Sequence, residues 1–255
     1  MSYGICTLSV VPCRKEASDP SEMVTQLLFG ETFEILEQQE KWSRIQNDHD
    51  GYESWVDNKQ ITHLGDDDHS RIASSTCFKS AELIGSLKID GQSLLLPAGS
   101  SLPGLTDGQL RIANSKYVFE GQAIDTCLTR KLTIPDLAIK FLNTPYLWGG
   151  RSPVGIDCSG FTQVVFSLAG ISLPRDAWQQ AELGENIGLE AAEPCDLAFF
   201  QNDNGLITHV GIILEDRKII HASGKVRIDE LSEEGIITNE GKVTHQFNTI
   251  KRISS

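Results

Sequence analysis

A single cysteine stands in a setting that suggests chemistry. Cys158 lies in the run Gly155-Ile156-Asp157-Cys158-Ser159-Gly160-Phe161, ahead of apolar residues Phe161, Val164, Val165 and Leu168. Their i, i+3, i+4, i+7 spacing predicts an amphipathic helix, with Cys158 at or just inside its N-terminus. Unpaired backbone N–H groups and the helix dipole favour an anion there, which predicts a thiol of lowered pKa and enlarged thiolate fraction. Preceding glycines let backbone approach the site closely. A thiolate nucleophile needs a base, and the base needs an orienting partner. His209 heads the apolar run His209-Val210-Gly211-Ile212-Ile213-Leu214, and His221 lies near the end of Lys218-Ile219-Ile220-His221-Ala222. If residues 213–218 form a hairpin, its register can bring the two imidazoles to the same end of a sheet. His209 then takes or shares the proton of Cys158, and His221 fixes the tautomer and tilt of His209.

The elements that must position these residues form an α+β plan. Thr133-Ile134-Pro135-Asp136 can open a helix, with proline in the first turn and an acid near the N-terminus, and Thr144-Pro145 stops it. The Cys158 helix follows and Gly170 closes it; Pro174-Arg175-Asp176-Ala177-Trp178 opens a short third helix. Beyond residue 195 come strands, beginning with Asp196-Leu197-Ala198-Phe199-Phe200. The first 128 residues read instead as β-rich, with short alternating runs around Phe33, Trp42 and Tyr52, and a second such stretch up to about residue 128. Trp42 and Trp55 read as barrel core or rim. Between the two stretches, Gly65-Asp66-Asp67-Asp68-His69-Ser70 has no apolar periodicity and reads as a solvated linker or long loop.

Composition excludes several classes. The 255 residues carry 22 Lys and Arg against 35 Asp and Glu, a net charge of −13. No segment is basic enough to neutralise phosphates, so nucleic acid and anionic membrane are poor partners. Apolar runs fall short of the ~18 residues of a membrane span, and the first residues, Met1 to Cys6, show no basic-then-apolar leader, so a cytoplasmic protein is expected. The six cysteines show no CxxC spacing, disulfides are not expected, and there is no HExxH motif or phosphate-binding glycine loop. The expected chemistry needs no metal and no organic cofactor.

Residues 129–255 resemble the NlpC-type papain-like cysteine peptidases of bacteria, which cut cell-wall peptides. The resemblance rests on Tyr146-x-Trp148-Gly149-Gly150, Asp157-Cys158-Ser159-Gly160-Phe161, Leu173-Pro174-Arg175-Asp176, Asp196-Leu197-Ala198-Phe199-Phe200 and His209-Val210-Gly211-Ile212, with His221 twelve residues further on. It implies a Cys158–His209–His221 triad cleaving the amide between γ-linked D-glutamate and a diamino acid. It also implies a papain-like catalytic domain over 129–255, preceded by two small all-β barrels similar to bacterial Src-homology-3 domains, at 1–64 and, more divergent, at 70–128. The three-part arrangement is similar to a subgroup that recycles muropeptides and requires a free N-terminal L-alanine, so the implied partner is an L-Ala-γ-D-Glu-diamino acid peptide. In that subgroup Asp176 lies near the substrate ammonium, Tyr146 lines the site, and Asp157 and Ser159 flank the nucleophile. Trp148 and Arg175 join the implied substrate-binding set through their motifs, and Glu22 and Tyr52 are the first-barrel candidates for reaching the site. Two departures stand out: Ala177 where the subgroup often has Ser, and Cys195 where a Gly usually precedes Asp196. The alternatives are another thiol amidase, such as an N-acetylmuramoyl-L-alanine amidase, an acyltransferase, or a non-catalytic module that binds wall peptides.

Overall fold

The structure is a computed structural model that describes residues 2–75, 78–128 and 134–253. The chain divides into two units, Met1–Thr129 with Trp148–Pro153, and Arg130–Leu147 with Val154–Ser255. Among the described residues no helix is long and apolar enough to cross a membrane.

The first unit opens with a seven-stranded antiparallel sheet. Its order is Met23–Leu28, Val10–Arg14, Glu53–Asp57, Trp42–Asn47, Thr32–Gln38, Ser2–Ile5 and Thr62–Leu64. Alternation determines what faces inward. In Trp42–Asn47 the buried positions are Ser43, Ile45 and Asn47, and in Glu53–Asp57 they are Ser54 and Val56, so Trp42 and Trp55 stay half-buried at the rim. Cys6, Val11, Cys13, Leu27, Phe33, Ile45 and Val56 fill the core. A four-stranded sheet follows, ordered Gln92–Pro97, Ile84–Ile89, Ser115–Glu120, Gln109–Ile112, with Phe78–Ser80 and Ala123–Asp125 paired beside it. Its core of Leu87, Leu96, Leu110, Tyr117 and Phe119 is continuous with Ile5, Phe29, Leu64 and Ile72 of the earlier stretch.

The expected linker is a helix, Asp66–Ser75. The acidic run that reads as solvated loop is its first turn, where Asp66, Asp67 and Asp68 face the positive end of the dipole, and Ile72 is buried completely. One apolar anchor is too little periodicity to announce a helix in the sequence.

Trp148–Pro153 belongs to the first unit. Arg151 reaches Glu31 with two nitrogens, both at 2.8 Å, and donates to the Gln26 carbonyl at 2.7 Å. Gly149 holds φ +76° against the Met23 carbonyl, so any side chain there would collide with backbone.

In the second unit three helices, Ile134–Lys140, Cys158–Leu168 and Ala177–Gln180, precede an antiparallel sheet. Its order is Glu185–Ile187, Val243–Arg252, Leu197–Gln201, Ile207–Ile213, Lys218–Ser223, Lys225–Leu231, Gly235–Ile237. The last strand pairs back onto Val243–Arg252, so six of the seven close into a barrel. The start expected at Thr133 lies outside the described residues. Phe161, Val164, Val165, Phe166 and Leu168 are all buried. The expected hairpin is present: Ile213 pairs with Ile219, and Gly211 pairs with His221. Glycine is required at 211, because a Cβ there would stand 2.7 Å from Ile219 Cδ1 and 2.9 Å from His221 Cβ. Cys195 adopts φ +81°, the left-handed conformation that glycine takes freely, so the departure from Gly at this turn keeps the glycine backbone.

Candidate active site

Cys158 is the first residue of its helix, and Asp157 is the N-cap. The Gly160 N–H donates to the Asp157 carboxylate at 2.7 Å, satisfying one of the helix's orphan donors. Arg175 donates to both carboxylate oxygens of Asp157, at 2.6 and 3.1 Å, and to Ser159 Oγ at 2.9 Å. Gln180 completes the brace. Its amide nitrogen donates to the Ser159 and Pro174 carbonyls, and its oxygen accepts from Thr162. Asp157, Ser159 and Arg175 are therefore bound to one another and buried beside the nucleophile, and their polar atoms hold the helix start in place. Nothing in the sequence marks Gln180 or Thr162 for this work.

The Cys158 thiol lies 4.0 Å from the carbonyl oxygen of Thr208, the residue before His209. His209 Nε2 is 2.8 Å from His221 Nδ1, with the rings nearly perpendicular. His221 Nε2 is 2.9 Å from Asp229 Oδ2, and Arg227 Nε approaches the same carboxylate oxygen at 2.6 Å. His245, on the final strand, stacks on His209 at 4.1 Å between centroids. His209, His221 and Asp229 are all buried. Asp229 and His245 escape a reading of the sequence. Asp229 lies on the strand hairpinned to that of His221, His245 lies on the strand that closes the barrel, and neither sits in a run that marks it.

The thiol's electrostatics correct the expectation of a lowered pKa. Burial pushes Cys158 up, to about 12, and the Asp157 charge adds to it; the backbone of Val210 and Ser159 and the Arg175 charge offset only part. Burial, then His221 and His245, hold His209 well below the ordinary imidazole value. Both shifts favour the neutral forms, a thiol and an uncharged imidazole. The helix terminus favours the thiolate, but desolvation of the charge outweighs it.

Tyr146 is half-buried, and its backbone N–H donates to the Gly224 carbonyl at 3.0 Å. Its phenol is raised to about 12, by burial first and then by its proximity to Cys158 and Asp157, so it stays a donor close to the nucleophile. Asp176, also half-buried, is the N-cap of Ala177–Gln180, and its N–H donates to Gln179 Oε1 at 3.0 Å in a capping box. The remaining three candidates, Trp148, Glu22 and Tyr52, lie in the first unit. There the Trp148 indole N–H donates to Glu22 Oε1 at 2.7 Å, and the Tyr52 N–H is held by Asp50 in a turn. Among the described residues no three His, Cys, Asp or Glu side chains are grouped so as to hold a metal ion. Cys6, Cys13, Cys127, Cys158 and Cys195 are unbridged, and Cys77 lies outside the described residues.

Comparison with known proteins agrees with this geometry. Residues 143–244 match the NlpC/P60 family, and residues 13–61 match the bacterial dipeptidyl-peptidase Sh3 domain. The chain is similar to a γ-D-glutamyl-L-lysine dipeptidyl-peptidase of Bacillus subtilis, 29% identical over 86% of this chain and 74% of the relative. A Bacillus cereus protein of the same name is 26% identical with the same coverage. A crystal structure of an NlpC/P60 family protein from Bacillus cereus superposes with a TM-score of 0.83 at 20% identity, over 98% of this chain and 99% of that one, and shares its fold.

Proposed function

We propose that this chain, a cysteine peptidase belonging to the NlpC/P60 family, hydrolyses the amide between γ-D-glutamate and the following diamino acid in peptides derived from bacterial cell wall. The observation that carries the reading is a buried thiol at a helix start, 4.0 Å from the carbonyl of the residue before His209, with His209 hydrogen-bonded to His221.

The chemistry follows from the resting state. As Cys158 Sγ bonds to the scissile carbonyl carbon, His209 takes the thiol proton, so the costly free thiolate never accumulates. The carbonyl oxygen becomes an oxyanion. Gly160 N–H is engaged by Asp157, and the N–H groups of Cys158 and Ser159 serve the oxyanion, each such donor contributing roughly 3 kcal/mol. The C–N bond then breaks as His209 gives its proton to the leaving amine, which leaves a thioester. Water attacks the thioester carbon and gives a proton to His209. The C–S bond breaks, and the proton returns to sulfur. His221 touches none of the reacting atoms and acts by orienting His209.

The finer reading is a requirement for a free N-terminal L-alanine, with Asp176 as the carboxylate that holds its ammonium. The relatives named for dipeptidyl release support it. The test is mass spectrometry of L-Ala-γ-D-Glu-L-Lys and L-Ala-γ-D-Glu-diaminopimelate digests, with free and acetylated N-termini. Release of L-Ala-γ-D-Glu from the free peptides, slowed on acetylation, is expected, because acetylation removes the charge that would pair with the half-buried Asp176 carboxylate. Equal rates on both forms overturn the free-amine requirement, and an intact γ-D-glutamyl bond in all of them overturns the peptidase reading.

A further inference from the structure

We propose that Asp229 is a positioning residue of this site, one that sets the tautomers of His221 and His209 and so selects which nitrogen of His209 is the base. The inference rests on the thiol-peptidase reading above and adds a residue to it.

Asp229 is buried, and its carboxylate is ringed by donors. Oδ2 meets His221 Nε2 at 2.9 Å and Arg227 Nε at 2.6 Å; Oδ1 meets Arg227 Nη2 at 2.7 Å. Burial works against the charge, but the hydrogen bonds from His221 and Arg227 outweigh it and hold the group ionised. An ionised carboxylate only accepts, so His221 Nε2 carries the proton. A neutral imidazole has one N–H, and His221 Nδ1 is then an acceptor. The atom facing it at 2.8 Å is His209 Nε2, which must donate. The one lone pair left on His209 is at Nδ1, and that is the atom that takes the thiol proton.

Without Asp229 the opposite arrangement is equally satisfied. His221 Nδ1–H would donate to His209 Nε2, the proton of His209 would sit at Nδ1, and the base would be blocked. When His209 becomes an imidazolium during turnover, its Nε2–H leans on His221, which leans on a fixed negative charge. His245 stacks on His209 at 4.1 Å and restrains the ring plane, and its Nδ1 is engaged with Thr244 Oγ1.

The experiment uses the full chain labelled with 15N-histidine. Two-bond 1H–15N correlations at neutral pH report which nitrogen of each ring is protonated. Wild-type protein is expected to carry its protons on Nε2 of both His209 and His221. Asp229→Ala is expected to populate Nδ1–H on His221, and to lower kcat on the free tripeptide at least about tenfold with KM within about twofold. That loss stays below the ~10⁴ seen when a direct orienting partner presents the wrong tautomer. Asp229→Asn keeps an oxygen acceptor without the charge, so it retains the wild-type tautomers and loses less kcat. Wild-type His221 protonated on Nδ1 overturns the proposal even if the alanine variant fails to fold. So does an alanine variant with unchanged tautomers, whatever its kcat, or one with unchanged kcat. A wild-type chain that cleaves no wall peptide brings down the peptidase reading, while the tautomer measurement still decides the role of Asp229.

Discussion

Arg175 grips Asp157 with both terminal nitrogens, Nη2 to Oδ2 at 2.6 Å and Nη1 to Oδ1 at 3.1 Å, and both side chains are buried. Asp157 immediately precedes Cys158, and its carboxylate also caps the Cys158 helix. One carboxylate thus serves a guanidinium eighteen residues away and the backbone that aims the nucleophile. Placement of the thiol depends on a buried ion pair.

Removing one member of that pair strands the other charge in the interior. Arg175→Met should destabilise the chain by roughly 3–5 kcal/mol in denaturant titration. Arg175→Lys should fall between, since an ammonium cannot bond Asp157 and Ser159 with a planar fork. A methionine variant as stable as wild type would show that the pair contributes nothing.

Cys158→Ala should abolish hydrolysis and leave the fold intact. The thiol's contact with the Thr208 carbonyl is long, and the helix start is held by Asp157, Arg175 and Gln180. Thermal unfolding beside a peptide-release assay checks both halves. Residual turnover above background would reassign the nucleophile.

The pH dependence of kcat/KM, which reports the free enzyme, follows from the two shifted groups. His209 is displaced well below its ordinary 6.5, so the acidic limb should lie well below pH 6.5. Cys158 is displaced upward to about 12, so activity should show no rise as pH passes the ordinary thiol value of 9.0. A profile of kcat/KM against pH with an acidic limb at or above 6.5, or a step near 9.0, would contradict the neutral resting groups.

In the first unit Glu31 supplies a stability signature of its own. Burial alone would raise its pKa, but Arg151 and His49 bring it from 4.5 down to about 2. A depressed carboxyl stabilises the fold fully above pH 4.5, and that contribution disappears as pH falls towards 2. Glu31→Gln should therefore flatten the acid-induced loss of stability between those two values, measured by denaturant unfolding across pH. At neutral pH it should cost roughly 3–5 kcal/mol, because Arg151 loses its buried partner. An acid slope equal to that of wild type would place the sensitivity elsewhere.

Local pattern carried much of the site. The i, i+3, i+4 spacing after Cys158 is enough to put a thiol at a helix start, because one buried face imposes that period on any helix. Two apolar runs joined by Glu215-Asp216-Arg217 are enough to bring His209 and His221 to one end of a sheet, because a hairpin leaves few registers. The helix Asp66–Ser75 was not legible, since its three acids read equally well as solvated loop and Ile72 alone marks its buried face.

The sequence by itself determined which residues could do chemistry and which local elements present them, since periodicity, turns and caps act over a few residues. Only the tertiary structure decided what surrounds them. Asp229 meets His221 across the hairpin of Lys218–Ser223 and Lys225–Leu231, His245 comes in on the strand that closes the sheet, Arg175 is bound by Asp157, and Trp148–Pro153 packs with the first unit. The same holds for the thiol's charge state. A helix start favours the thiolate from local geometry alone, but desolvation is summed over every atom packed around Cys158, and it is this sum that pushes the pKa to about 12.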